Sequence, residues 1–117
     1  MIDLTESANH LLPLTEPTFL ILASLAKPRH GYGIMQDAEQ MSGGRVRLGP
    51  GTLYGALNNL LKQKLIERVE EGESGEERRK AYRLTPLGRR VVELECERLT
   101  GLAKLAKTVK NRLGGLK

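Results

Sequence analysis

Gly49-Pro50-Gly51-Thr52-Leu53-Tyr54-Gly55-Ala56-Leu57-Asn58-Asn59-Leu60-Leu61-Lys62 decides the fold together with the two short stretches after it. These are Leu65-Ile66-Glu67-Arg68-Val69 and, beyond a glycine-bounded charged loop, Arg78-Arg79-Lys80-Ala81-Tyr82-Arg83-Leu84. The first stretch predicts an amphipathic helix from about Gly51 to Lys64. At 100° per residue Leu53, Ala56, Leu57, Leu60 and Leu61 share one side. Gly55, Asn58, Asn59 and Lys62 form the other, with Thr52 and Tyr54 near the edges. The two shorter stretches read as the strands of a hairpin. Helix, strand, basic loop, strand is the order of a winged helix-turn-helix.

The outward face of that helix is unusual. An ordinary solvated face carries glutamate and lysine pairs; this one carries two amides, a glycine and one lysine. The whole chain of 117 residues has a formal charge of +5 and a pI of about 9.6, a mild lean toward a polyanionic partner. The distribution says more than the total. From Gln40 to Ile66 there are four cations (Arg45, Arg47, Lys62, Lys64) and no acid, and after Glu97 six cations and again no acid.

Outside the central stretch, residues 1–14 read as a lead-in, a loop or a loose helical turn or two stopped by Pro13. Thr15 is the expected cap of a first helix, with Glu16 and Pro17 in its first turn. Thr18 to Ala26 is apolar all round, which predicts the most buried element. His30-Gly31-Tyr32-Gly33 opens a second helix running to about Met41, with Ile34, Met35, Ala38 and Met41 as its core face. Ser42-Gly43-Gly44 stops it, and Arg45-Val46-Arg47-Leu48 alternates as a short third strand beside the wing would. Thr85-Pro86 starts a last helix of roughly 29 residues, ~43 Å long. Val91, Val92, Leu94, Cys96, Leu99, Leu102, Leu105, Ala106 and Val109 stripe it. A core of this size cannot cover that stripe, so a second copy is the expected partner, with Val91, Leu94, Leu99, Leu102, Leu105 and Val109 as the dimer interface. The expected organisation is a lead-in (1–14), a winged helix-turn-helix (15–84) and a dimerisation helix with its tail (85–117). The fold class is mainly α with a small β-hairpin.

The function classes that drop out are equally informative. Residues 44–51 have the glycine spacing of a phosphate-binding P-loop, but Pro50 and Gly51 stand where lysine and serine or threonine are needed. Gly49 to Gly55 is one residue too long for a dinucleotide fingerprint and lacks a βαβ setting. No nucleophile, base and orienting group form a set, so no enzyme is expected. His10, His30 and Cys96 are too scattered for a metal, and no cofactor is expected. The single cysteine forms no intrachain disulfide and reads as a small core residue. No apolar run approaches the ~20 residues of a membrane span, and the acidic N-terminus is unlike a signal peptide, so a cytoplasmic protein without a membrane partner is expected.

Each part of a winged helix has a role on duplex DNA. Asn58 and Asn59 suit adenine edges in the major groove, and Lys62 reaches guanine or phosphate. Gly55 lets the helix approach closely. The helix starts near His30-Gly31 and Gly51-Thr52 offer backbone N–H groups to phosphate. Arg78, Arg79 and Lys80 suit the backbone or minor groove, although five glutamates in the same wing leave a plain solvated loop open. Tyr32 divides between core and phosphate, Tyr54 reads as a phosphate contact, and Arg45 and Arg47 divide between phosphate and surface.

His30-Gly31-Tyr32-Gly33-Ile34, Gly51-Thr52-Leu53-Tyr54-x-Ala56-Leu57, Leu65-Ile66 and Arg79-Lys80-x-Tyr82-Arg83-Leu84-Thr85-x-x-Gly88 resemble the PadR family of bacterial transcriptional regulators over residues 15–90. The resemblance implies a homodimeric repressor paired mainly through its C-terminal helix. It implies DNA contact at Thr52, Tyr54 and Asn58 and by the wing from Arg78 to Lys80. It also implies release by a small molecule such as a phenolic acid, a drug or another planar compound. The single C-terminal helix matches the short branch of that family. The absence of tryptophan departs from a known drug-binding pore in it, leaving the effector open. The alternative reading is a winged helix that docks a protein, or an adaptor without specific DNA binding.

Overall fold

The computed structural model describes residues 3–71 and 79–115, with residues 70, 71 and 79 described by backbone alone. It contains α1 (Thr5–Asn9), α2 (Glu16–Ser24), β1 (Arg29–His30), α3 (Gly31–Met41), α4 (Pro50–Lys62), β2 (Ile66–Glu71), β3 (Arg79–Leu84) and α5 (Pro86–Gly114). The fold is a winged helix-turn-helix followed by one long helix.

Capping chemistry sets the helix ends. The Thr15 hydroxyl accepts from the Thr18 amide at α2, and the Thr85 hydroxyl accepts from the Gly88 amide at 3.1 Å at α5. Gly43 and Gly44 take φ of 63° and 85° after α3, and the Gly44 amide donates back to Glu39 O at 2.8 Å. Leu20, Ile21, Leu22 and Leu25 of the α2 region are buried, so this segment forms the centre of the core. Ile34, Leu53, Leu57, Leu60, Leu65, Ile66, Tyr82 and Val91 close around it. Complete burial of Leu53 and Leu57 stabilises by about 1.5–3 kcal/mol each.

The hairpin is antiparallel with Ile66 opposite Leu84 and Val69 opposite Ala81. Its third strand is β1, not 45–48: Arg29 pairs with Tyr82 and His30 with Ala81, giving the order β1-β3-β2. The expectation for Arg45–Leu48 fails because local bonds claim that backbone. Ser42 O accepts from the Arg45 amide, and Ser42 Oγ accepts from the Val46 amide at 2.9 Å. Arg45 and Arg47 turn to Glu16 and Glu39.

The lead-in is more ordered than a loose turn. Ala8 of α1 is fully buried, Arg90 Nε donates to Thr5 Oγ1 at 3.2 Å, and the Leu14 amide donates to Glu95 Oε2 at 2.7 Å. Three other expectations fail, two through the direction a residue takes around its helix and one through its place at a helix end. Val91 has no exposed surface and belongs to the protomer's own core, so it is not a dimer-interface residue. Cys96 is exposed. At 100° per residue it points about 140° from Val91, whereas Glu95 points about 40° away and is the buried residue. Met41 ends α3 at the rim of a groove and is half exposed.

Past Arg98, α5 leaves the body of the protein. Every residue from Leu99 to Gly115 is exposed. The radius of gyration is 17.0 Å, against about 13 Å for a compact chain of this length, and the long axis reaches 66 Å.

Candidate nucleic-acid interface

The body of the protein holds α4 by three buried leucines on one side, which fixes what its other side presents. Gly51, Thr52, Tyr54, Gly55, Asn58, Asn59 and Lys62 are all exposed. From Thr52 to Lys62 this face runs about 15 Å, and a helix of ~10–12 Å diameter fits a major groove ~12 Å wide. It carries no acid, and Lys62 forms no ion pair among the described residues. A residue at Gly55 would meet nothing within 4 Å, so the centre of the face is open.

The end of α4 is bolted to the start of α5. Lys64 adopts a φ of 62°, the Leu65 amide donates to Leu60 O, and the Thr85 hydroxyl donates to Lys64 O at 2.6 Å. The Thr85 amide donates to Leu65 O at 3.0 Å. A Cβ on Gly88 would stand 1.9 Å from that same carbonyl oxygen, so glycine is required there. These bonds and the close approach at Gly88 tie the C-terminal end of α4 to the start of α5.

The remaining candidates divide into two groups. Tyr32, two-thirds exposed, and Arg47 line one shallow pocket with Met35, Gln36, Glu39 and Leu48. Arg47 Nε lies 3.0 Å from Glu39 Oε1, an exposed pair. On the sheet side, His30 caps α3 and pairs with Ala81, its Nδ1 3.4 Å from the Lys80 carbonyl. Lys80 is exposed. Arg78 lies outside the described residues, and Arg79 is described by backbone only. Gly31 departs from its expected role as an open phosphate donor: it is buried, with the Tyr54 ring lying over it.

Sequence reasoning missed the groove between α2 and α5. Leu14, Phe19, Leu20, Met41 and Leu99 wall a space of about 370 Å³, with Arg45 and Glu16 at its edge and Glu95 lining it. Glu95 is buried, paired with Arg98 and bonded to the Leu14 amide. The Arg98 guanidinium holds the Glu95 carboxyl below the ordinary carboxylate range against the opposing effect of burial. An acid among apolar positions of α5 was the available signal. Among the described residues no His, Cys, Asp and Glu cluster suits a metal, and no helix is long and apolar enough to cross a membrane.

Comparison with known proteins agrees with this geometry. A protein in transposon TN4556 of Streptomyces fradiae, itself uncharacterized, is 42% identical over 85 residues, covering 72% of this chain and 23% of its own length. A second relative from Lysinibacillus sphaericus is 34% identical over 65 residues and 60% of its length is covered, so the chain spans only part of the curated relatives it matches. The crystal structure of a PadR family transcription regulator from Clostridium difficile superposes with a TM-score of 0.67 at 27% identity, over 81% of this chain and 98% of that one. Bacillus subtilis PadR in complex with operator DNA shares the fold, with a TM-score of 0.59 at 22% identity over 69% of this chain and 46% of that one. The family model for PadR-like transcriptional regulators matches residues 20–94. A winged helix-turn-helix whose residues 20–94 match this model, the chain belongs to the PadR-like family of transcriptional regulators.

Proposed function

We propose that the protein is a homodimeric repressor of a roughly palindromic operator, released from DNA by a small-molecule effector. The observation that carries this reading is the outward face of α4, exposed, polar and free of acids. In the major groove Asn58 and Asn59 read adenine edges while Lys62 takes a guanine or a phosphate. Thr52 and Tyr54 contact the backbone, and the wing from Arg78 to Lys80 lies along the flanking phosphates. Arg47 exchanges Glu39 for phosphate at little cost, since such an exposed pair is worth at most about 1 kcal/mol.

Dimerisation through residues 85–117 is supported by the exposed stripe Leu99, Leu102, Leu105, Val109 and Leu113. Leu94 is half-covered at the root of that stripe. In the proposed dimer the two α4 helices sit one turn of B-DNA apart, about 34 Å, as the half-sites of a palindromic operator require, with residues 15–84 as the DNA-binding unit. The joint at Lys64, Thr85 and Gly88 makes that spacing depend on how the α5 helices pair. The groove by Glu95, at the low end of the size range of ligand pockets, is the place where an effector would alter that pairing.

Two substitutions test the division of labour. Lys62→Ala should weaken binding to any duplex and lower the salt slope by roughly one counterion. Asn58→Ala should cost about 1–3 kcal/mol on the operator and almost nothing on random duplex. Equal losses on both duplexes for Asn58→Ala would remove base reading from the face.

A further inference from the structure

We infer that Gly31 is a positioning residue for DNA binding: the space left by its missing side chain seats the Tyr54 ring and fixes where that tyrosine stands on the α4 face. The inference rests on the proposed role of α4 and adds a residue that touches no DNA itself.

Gly31 opens α3, yet it is buried while its neighbour Tyr32 is two-thirds exposed. Its backbone is not left-handed, so conformational freedom does not explain a glycine there. Space does. A Cβ at position 31 would stand 2.6 Å from Tyr54 Oη, 3.1 Å from Cζ and 3.4 Å from Cε1. By contrast, a Cβ at Gly49, Gly51 or Gly55 meets nothing within 4 Å. The tip of the Tyr54 side chain therefore crosses from the second turn of α4 to the first residue of α3. About half of its surface stays exposed, on the side of α4 that Asn58 shares one turn later.

This arrangement has a defined energetic consequence. A free tyrosine on a helix surface samples several rotamers, and ordering it on binding costs affinity. Seated on α3, Tyr54 is ordered before DNA arrives. An alanine at 31 conflicts with the far end of a side chain rather than with backbone. The ring gives way and the fold survives, so the damage falls on the interface.

The test is a double-mutant cycle with Gly31→Ala, Tyr54→Phe and both together, reading operator affinity and thermal midpoint. Phenylalanine lacks the oxygen at 2.6 Å; the nearest ring atom is then Cζ at 3.1 Å, a contact that a shift of a few tenths of an ångström relieves. Gly31→Ala should weaken operator binding roughly tenfold in the parent and at most about threefold in Tyr54→Phe, with midpoints nearly unchanged. An identical penalty in both backgrounds would overturn the inference.

A DNA-free readout separates this inference from the proposed function. In NMR spectra Gly31→Ala should shift the ring signals of Tyr54 but not those of Tyr82. Unmoved Tyr54 signals would dismiss the seat whatever the DNA data say. Shifted signals in a protein whose parent binds no operator would retain the seat, discard its role in DNA binding and sink the proposed function.

Discussion

From Pro86 to Arg98, α5 buries Gly88, Val91 and Glu95 against α1, α2 and the wing; from Leu99 onward the same helix stands uncovered. The two halves share one periodicity. At 100° per residue Leu102, Val109 and Leu113 point within about 40° of Val91. Their difference lies in what the rest of the chain supplies. A hydrophobic pattern says which side of a helix seeks cover, and only the tertiary fold says where the cover ends. The uncovered half continues the seam of the covered half, and the proposed pairing of two copies would cover it.

The sharpest way to break that comparison is to place an aspartate on each half. Val91→Asp buries an unpaired charge in the core and should cost roughly 4 kcal/mol or more, read as loss of the cooperative melting transition. Leu105→Asp, on a side chain already half exposed, should change protomer stability by under ~0.5 kcal/mol. It should convert a dimer to a monomer in sedimentation. A Leu105→Asp protein that still sediments as a dimer would show that the exposed half is not the contact.

Next in size is the root of the covered half. Gly88→Ala drives a methyl into the Leu65 carbonyl, which is fixed backbone, and should cost about 3 kcal/mol in denaturant unfolding. A wild-type midpoint would mean that α5 shifts freely over α4, and the coupling between pairing and recognition would fall with it.

The boundary between the halves is Glu95 and Arg98. Glu95→Ala leaves the Leu14 amide and the guanidinium without their carboxylate and should cost about 2–3 kcal/mol. Because Arg98 lowers the folded pKa of Glu95, the pair contributes in full above the unfolded value, near 4.3, and is lost as pH falls through the lower folded value. The parent should therefore lose stability below about pH 4.3 more steeply than Glu95→Ala. Parallel pH profiles would contradict the assignment.

Much of this molecule is legible in its sequence, for physical reasons that can be named. Caps at Thr15 and Thr85, the Gly43-Gly44 stop and the leucine spacing of α4 are local signals, and local structure obeys them. What escaped is non-local. β1 has two residues, too few for a period, and exists because β3 lies some 50 residues away. Leu14 and Glu95 are 81 residues apart, so neither announces the other. The burial of Gly31 depends on Tyr54, and reading Gly31 from its motif alone left it open to solvent. The exposed α4 face was readable because a run without acids is a statement of composition, which needs no tertiary information.

Sequence-specific recognition by α4 is tested most directly by an anisotropy titration of the full chain with DNA upstream of its own gene, against a scrambled duplex, at two salt concentrations. Salt-sensitive binding at least ~10³ tighter to the true sequence is the expected result. Equal, weak binding to both duplexes would contradict recognition by that face.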